Sequence, residues 1–161
     1  MNEKGTIVVL VGVNNIIDTS AILAAIESGF DLNTRDSDGR TLLMEAVIYR
    51  NYELMRVLIS KEADVDSSDR RGWAALHFAA QNYDAIATSA LIVAGADVNS
   101  QDAFQNSVLS TAVLNSKGQG DVIGLLISSG ADKKVKNLSG ISAEDLAKTI
   151  SNYDLLPFLE D

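Results

Sequence analysis

The chain has 161 residues, 47% of them apolar, and a formal net charge of −9 from 13 Lys and Arg against 22 Asp and Glu. That length predicts one domain with a real core, and that composition is inconsistent with disorder over most of the chain. With no Cys and a single His, disulfides, thiolate zinc sites, Cys nucleophiles and His-rich metal sites are excluded, and the acidic balance argues against nucleic acid, whose phosphates require clustered Lys and Arg.

At the N-terminus, the apolar run IVVLVGV (7–13) is too short to span a bilayer, so no membrane contact is expected. Glu3 ahead of it, Asn14 and Asn15 behind it, and Asp18 before the small residues make it a poor signal-peptide core. The chain is therefore expected to be cytoplasmic. This stretch is rich in β-branched residues and is a weak helix former; the first clear helix is TSAILAAIESG (19–29). After the loop-like string FDLNTRD (30–36), the segment RTLLMEAV (40–47) places Leu43, Ala46 and Val47 on one helical face. A break at Arg50-Asn51 precedes a second short apolar face formed by Leu54, Val57, Leu58 and Ile59.

The pattern then restarts. ADVDSSD (63–69) leads to WAALHFAA (73–80), ADVNSQD (96–102) to NSVLSTAV (106–113), and ADKKVKN (131–137) to ISAEDLAK (141–148). The loop strings recur with a step of 33 residues, so Asp31, Asp64 and Asp97 share one slot and Asp36, Asp69 and Asp102 another; the last copy follows after 35. Ala46, Ala79, Ala112 and Ala147 keep register, as do Leu43, Leu76 and Leu109. NSKGQGD (115–121) holds the two extra residues and is expected to be a longer loop between helices. In the final string NYDLLPFLED (152–161), Pro157 is expected to interrupt any helix, with the acidic residues facing water.

Each unit reads as helix, turn, helix and a loop of roughly ten residues, too small to bury its own faces, so neighbours must stack into a shared core. A four-helix bundle does not predict a fixed step held in several slots at once. The sequence therefore predicts one all-α repeat solenoid, with units near 3–35, 36–68, 69–101, 102–136 and 137–161 and degenerate units at both ends.

The strings D-x-x-G-R-T-L-L-M-E-A (36–46) and D-R-R-G-W-A-A-L-H-F-A-A (69–80) resemble the D-x-x-G-x-T-P-L-H-x-A-A signature of the ankyrin-repeat family. GADVN (95–99) and GAD (130–132) are similar to its inter-repeat turn, and Gly29 and Gly95 fit its left-handed helix C-cap. The likeness covers about residues 15–150. It departs at Gln105, where Gly39 and Gly72 stand in other copies, and at Leu42, Ala75, Val108 and Ala143, which replace the family's Pro. Those losses reduce helix-start preorganisation without threatening the fold.

No G-x-x-x-x-G-K, G-x-G-x-x-G, G-x-S-x-G or H-E-x-x-H motif is present. The carboxylate pairs Asp36/Asp38 and Asp64/Asp66 include members of the repeating turn slots, where Asp accepts backbone hydrogen bonds. Glu144/Asp145 opens the last helical segment. The basic KKVK (133–136) is too short for a nucleic-acid site and reads as a solubilising edge. His77 falls where the resemblance implies a His that orders the turn locally; its usual hydroxyl partner would be at residue 74, which is Ala. With no nucleophile and no orienting group in sight, a catalytic role is not expected, and no cofactor is called for.

By the same resemblance, partner-contacting slots fall on a concave face and on the turn tips. They are Ser37, Asp38, Arg40, Ile48 and Tyr49 in one copy, Arg70, Arg71, Trp73, Gln81 and Asn82 in the next, and Ala103, Phe104, Asn106, Leu114 and Asn115 in the third. Trp73 takes a slot otherwise held by Arg40, Asn106 and Ile141, so it reads either as an interface anchor or as a cover for its neighbours' helix ends. Arg71, Trp73, Tyr49 and Phe104 are the foremost candidates. The expectation is a monomeric protein-binding module whose partner is a protein, and the acidity is compatible with a basic one. Its rivals are an acidic neutraliser of a basic toxin or nuclease, a self-associating structural subunit, and a small hydrolase using His77.

Overall fold

A computed structural model describes residues 19–159. Among these residues the helices are α1 (Thr19–Glu27), α2 (Leu42–Ile48), α3 (Tyr52–Ser60), α4 (Ala75–Gln81), α5 (Ala85–Val93), α6 (Val108–Asn115), α7 (Asp121–Ser128) and α8 (Ala143–Thr149), followed by a 3-10 turn at Leu156–Leu159. The expectations for residues 5–18 lie outside the described residues. The only β structure among those described consists of the isolated bridges Ser68–Ala74, Gln101–Ser107 and Lys136–Ser142. No described helix is long and apolar enough to cross a membrane.

The helices begin where side-chain oxygens can satisfy their first N–H groups. Thr41, Ser107 and Ser142 accept from the N–H groups of Met44, Ser110 and Asp145 at 3.4, 3.1 and 3.1 Å, capping α2, α6 and α8. Asn51 caps α3, and Asp84 caps α5 through the N–H groups of Ile86 and Ala87. In α4 the cap slot holds Ala74, so His77 Nδ1 instead accepts from the Ala74 N–H at 3.2 Å. That is the local bond for which the sequence offered no hydroxyl.

The pairs α2–α3, α4–α5 and α6–α7 are antiparallel hairpins; α2, α4, α6 and α8 pack in series as one row, and α5 packs on α7 in the second. The recurring slots fill the seam. Leu43, Leu76 and Leu109 are buried, and the small Ala46, Ala79, Ala112 and Ala147 beside them leave room for neighbouring units to approach.

The repeating carboxylates organise the turns. Asp36, Asp69 and Asp102 each accept, through one Oδ1, the N–H groups two and four residues ahead at 2.8–2.9 Å, and Asn137 does the same at 2.9 and 3.0 Å. The turn tips are then joined unit to unit. The N–H groups of Arg70, Ala103 and Leu138 donate to the carbonyls of Asp38, Arg71 and Phe104 at 3.0, 2.9 and 3.1 Å. The loop strings after the second helices are linked as well, because Asn33, Asp66 and Asn99 accept from the N–H groups of Asp64, Asp97 and Asp132 at 2.9, 2.9 and 2.8 Å.

The two extra residues fall in the α6–α7 connection, as the step of 35 requires. Pro157 lies inside the 3-10 turn, and the segment around it is no loose end: Leu155 and Leu159 are buried, and the Lys133 ammonium donates to the Leu159 carbonyl at 2.6 Å. This turn packs on α7 and α8, where a second helix of the last unit would otherwise stand.

Candidate functional site

The turn tips and the start of α4 bring several candidate residues together. Asp69, at the base of its turn, fixes the backbone at Arg71 and Trp73, and its second oxygen pairs with the Arg71 guanidinium at 3.1 Å. The guanidinium is thereby held 4.6 Å from the centroid of the Trp73 ring and 5.6 Å from that of Phe78, distances at which cations are attracted to aromatic faces. Trp73 is half-buried. Its ring meets Phe78 edge-on at 5.2 Å and stacks on His77 at 5.7 Å, and its indole N–H donates to Asp102 of the next unit at 3.3 Å. From the preceding unit, the Arg40 guanidinium lies 5.5 Å from the Phe78 centroid and pairs with Glu45 at 3.3 Å. An open cleft of about 240 Å³ between Asp38, Arg40, Asp69, Arg70 and Arg71 completes the cluster.

Electrostatics follow from this packing. Burial raises the Glu45 carboxyl above its ordinary value, against the lowering effect of Arg40. Burial also pushes Asp102 up, but hydrogen bonds from the Asn106 side chain and backbone, the Phe104 N–H and the Trp73 indole outweigh it and hold the carboxylate low. His77 is fully buried, and its proton affinity is lowered by that burial, with partial compensation from the Asn106 backbone and the Asp102 and Asp69 carboxylates. Its Nδ1 accepts from the Ala74 N–H. A side chain so enclosed is out of reach of a substrate proton.

The remaining candidates divide into two groups. Tyr49 and Gln81 are exposed at the C-terminal ends of α2 and α4, Arg70 is exposed at its turn tip, and Phe104 is 66% exposed on the next tip. By contrast, Asn82 donates to the Val47 and Ile48 carbonyls at 3.3 and 3.1 Å, closing the end of α2. Asn106 bridges Asp102 and Asn137 at 3.0 and 2.8 Å, and Asn115 donates to the Thr111 carbonyl. The amides of Asn82 and Asn106 hold units together, and that of Asn115 bonds within its own helix.

Sequence reading missed Phe78, Leu138 and Ile141. Phe78 stands in a slot held elsewhere by Glu45, Thr111 and Leu146, and that irregularity was the available signal. Leu138 and Ile141 continue the apolar surface beyond Phe104, at 65% and 39% exposure. A second concavity, of about 480 Å³, opens between α3 and α5 and is lined by Met55, Arg56, Ile86, Ala90 and Val93. Among the described residues, no group of three His, Asp or Glu could hold a metal ion.

The unit-to-unit bonding and recurring slots agree with a family profile described as ankyrin repeats (3 copies), which matches residues 6–102 and 61–137. The chain belongs to the ankyrin-repeat family. It is 32% identical over 142 residues to a Danio rerio protein named "Putative palmitoyltransferase ZDHHC13", covering 87% of this chain and 22% of that protein. It is 32% identical over 133 residues to a Treponema pallidum (strain Nichols) protein named "Putative ankyrin repeat-containing protein", covering 81% of this chain and 43% of the relative. With the B-cell lymphoma 3 protein homolog of Mus musculus it shares 30% identity over 138 residues, 84% of this chain and 30% of that one. The chain thus spans less than half the length of these relatives. Ankyrin repeats are generally protein-interaction modules.

Proposed function

We propose that this ankyrin-repeat chain is a non-catalytic, monomeric binding module whose protein partner seats on the turn tips and the adjoining ends of the first-row helices. The observation that carries the reading is the rigid row of tips. Backbone bonds join successive turns, and the exposed Arg71 and Phe104 stand on neighbouring tips with Trp73 packed behind them. Arg and aromatic side chains on a preorganised frame dominate the energetics of protein interfaces. An acid-rich composition is compatible with a cytoplasmic setting, which the reading includes.

A basic toxin or nuclease as partner draws its support from the net charge of −9. Many of the carboxylates behind that charge are committed to backbone N–H groups in the turns, as with Asp64, Asp97 and Asp132. A basic partner on the proposed face would meet Arg70 and Arg71 at close range, and like-charge juxtaposition opposes such a complex. A hydrolase centred on His77 draws no support from a ring that is fully buried.

The test is affinity capture from the native host with quantitative mass spectrometry, comparing the unmodified chain with a Tyr49→Ala/Phe104→Ala variant. Both side chains are exposed, so the variant keeps its fold. A protein retained by the first and lost by the second supports this face, whereas identical captured sets overturn it. Sedimentation of the free chain as a single species at every concentration supports the monomer.

A further inference from the structure

All six Arg residues of the chain lie between positions 35 and 71, and three of them, Arg40, Arg70 and Arg71, line the cleft at the tips. Of the two carboxylates that line it, Asp38 is exposed and Asp69 is engaged from within. Asp69 binds two backbone N–H groups and Arg71, while Glu45 is buried against Arg40. Among the described residues no carboxylate pairs with Arg70. The side chain of Arg71 keeps half of its surface in solvent, at 51%, although its plane is pinned over Trp73. A planar guanidinium fixed on a ring presents its outer N–H groups as a ready fork for a carboxylate.

The next tips change character. Phe104 follows Arg71, with the two turns joined by the Ala103 N–H at 2.9 Å from the Arg71 carbonyl. Leu138 follows Phe104, joined by its own N–H at 3.1 Å, and Ile141 stands at the base of that turn. The tip row is therefore acidic at Asp38, cationic at Arg70 and Arg71 and apolar from Phe104 onward, in a chain whose overall charge is negative.

Building on the proposed binding face, we infer that the partner presents a linear segment with an acidic residue that seats between Arg70 and Arg71 and an apolar residue that seats on Phe104 or Leu138. The spacing follows from the stack. Packed helices lie about 8–10 Å apart, and an extended chain advances about 3.3 Å per residue. One unit then corresponds to about three residues and two units to about six. The segment carries Asp or Glu three to six positions from Leu, Ile, Phe or Met.

The experiment is selection of an unbiased displayed-peptide library on the intact chain, followed by titration of synthetic versions of the enriched peptides. The single Trp is the fluorescence reporter, since Arg71 lies over its ring. Variants Arg70→Glu and Phe104→Ala serve as comparisons, with folding verified by circular dichroism. The expected result is enrichment of the acidic-apolar spacing, with binding weakened at least tenfold by either substitution, weakened by added salt, and abolished when the acidic residue of the peptide becomes Lys. Basic or uncharged peptides whose binding is lost in Phe104→Ala but unchanged in Arg70→Glu would overturn this inference and leave the binding face standing. Peptides that bind both variants as well as the unmodified chain would overturn the face itself. Failure to enrich any peptide would show that the row does not read linear segments, which also overturns the inference.

Discussion

At the α4 start, Ala74 occupies the slot where Thr41, Ser107 and Ser142 supply a capping oxygen. Substituting Ala74→Ser adds a side-chain acceptor for the His77 N–H, which already donates to the Ala74 carbonyl at 3.0 Å, in a site whose equivalents hold a hydroxyl. The variant should be stabilised by about 1 kcal/mol, read as a higher urea midpoint with an unchanged slope. Trp73→Ala has a mixed outcome, because the ring is half-buried against Phe78 and His77 and bonded to Asp102. It should lose roughly 2 kcal/mol of stability, less than a fully buried ring, as well as partner affinity, and for that reason the exposed Phe104 reports binding more cleanly.

Two buried titratable groups in the same cluster act in opposite directions with pH. Burial depresses His77, so the unfolded chain binds its proton more readily than the folded one. Its contribution is fully present above the ordinary value near 6.5 and is lost as pH falls through the folded value. Burial raises Glu45, so its contribution is fully present below the ordinary value near 4.5 and is lost as pH rises through the folded value. Chemical denaturation from pH 7.5 to 4.5 should therefore show less loss of stability on acidification in His77→Gln than in the unmodified chain, and more loss in Glu45→Gln. A His77→Gln variant with an unchanged pH profile would contradict this assignment.

At the scale of the elements, the glycine of a turn tip and the glycine of a helix C-cap are not equivalent. Gly72 has φ +79°, and a Cβ built on it would lie 2.8 Å from the Ala103 backbone N in the next turn, whereas Gly95 at φ +91° has nothing within 4 Å. Gly72→Ala should cost about 3 kcal/mol from strain and displacement of the next tip. Gly95→Ala should cost about 1 kcal/mol from the left-handed backbone alone. Thermal unfolding of the two variants side by side checks the ranking. The α6–α7 loop makes the same point against the C-terminal turn, since a Cβ on Gly120 would come within 2.2 Å of the Phe158 ring. Gly120→Ala should therefore loosen the 3-10 turn by displacing that ring.

The helices were legible because every copy repeats one apolar spacing and one set of turn residues, so each slot was read several times over. The turn role of Asp36, Asp69 and Asp102 was legible for the same reason. The docking of Tyr153 and Phe158 over the loop glycines happens once, between segments distant in the chain, and no second copy exists for comparison. The candidate site was legible only in part. Arg71 and Trp73 stood out against their slots, but the internal bonds of Asn82 and Asn106 depend on how one unit sits against the next. A slot alone does not say which way an amide turns.

At the scale of the whole molecule, the described residues form a nearest-neighbour stack, since each first-row helix packs on the next one and each turn bonds to the following turn. In such an array stability is close to a sum of unit and interface contributions, so the ends open before the middle. The C-terminal turn buries Leu155 and Leu159 against α7 and α8, and Lys133 ties its last carbonyl to the preceding loop. Removing residues 152–161 takes away two buried leucines, which corresponds to about 3–5 kcal/mol at usual burial values. The truncated chain should unfold at lower urea, and its amide protons should exchange faster in α8 first and then in α7. Protection in α2 and α4 should persist, because their neighbours are unchanged. Trp73 lies in the retained part, so its fluorescence in the absence of denaturant should stay close to that of the full chain. Equal loss of protection in all helices would show instead that the units open only together, and the tip row would then depend on the C-terminal turn for its shape.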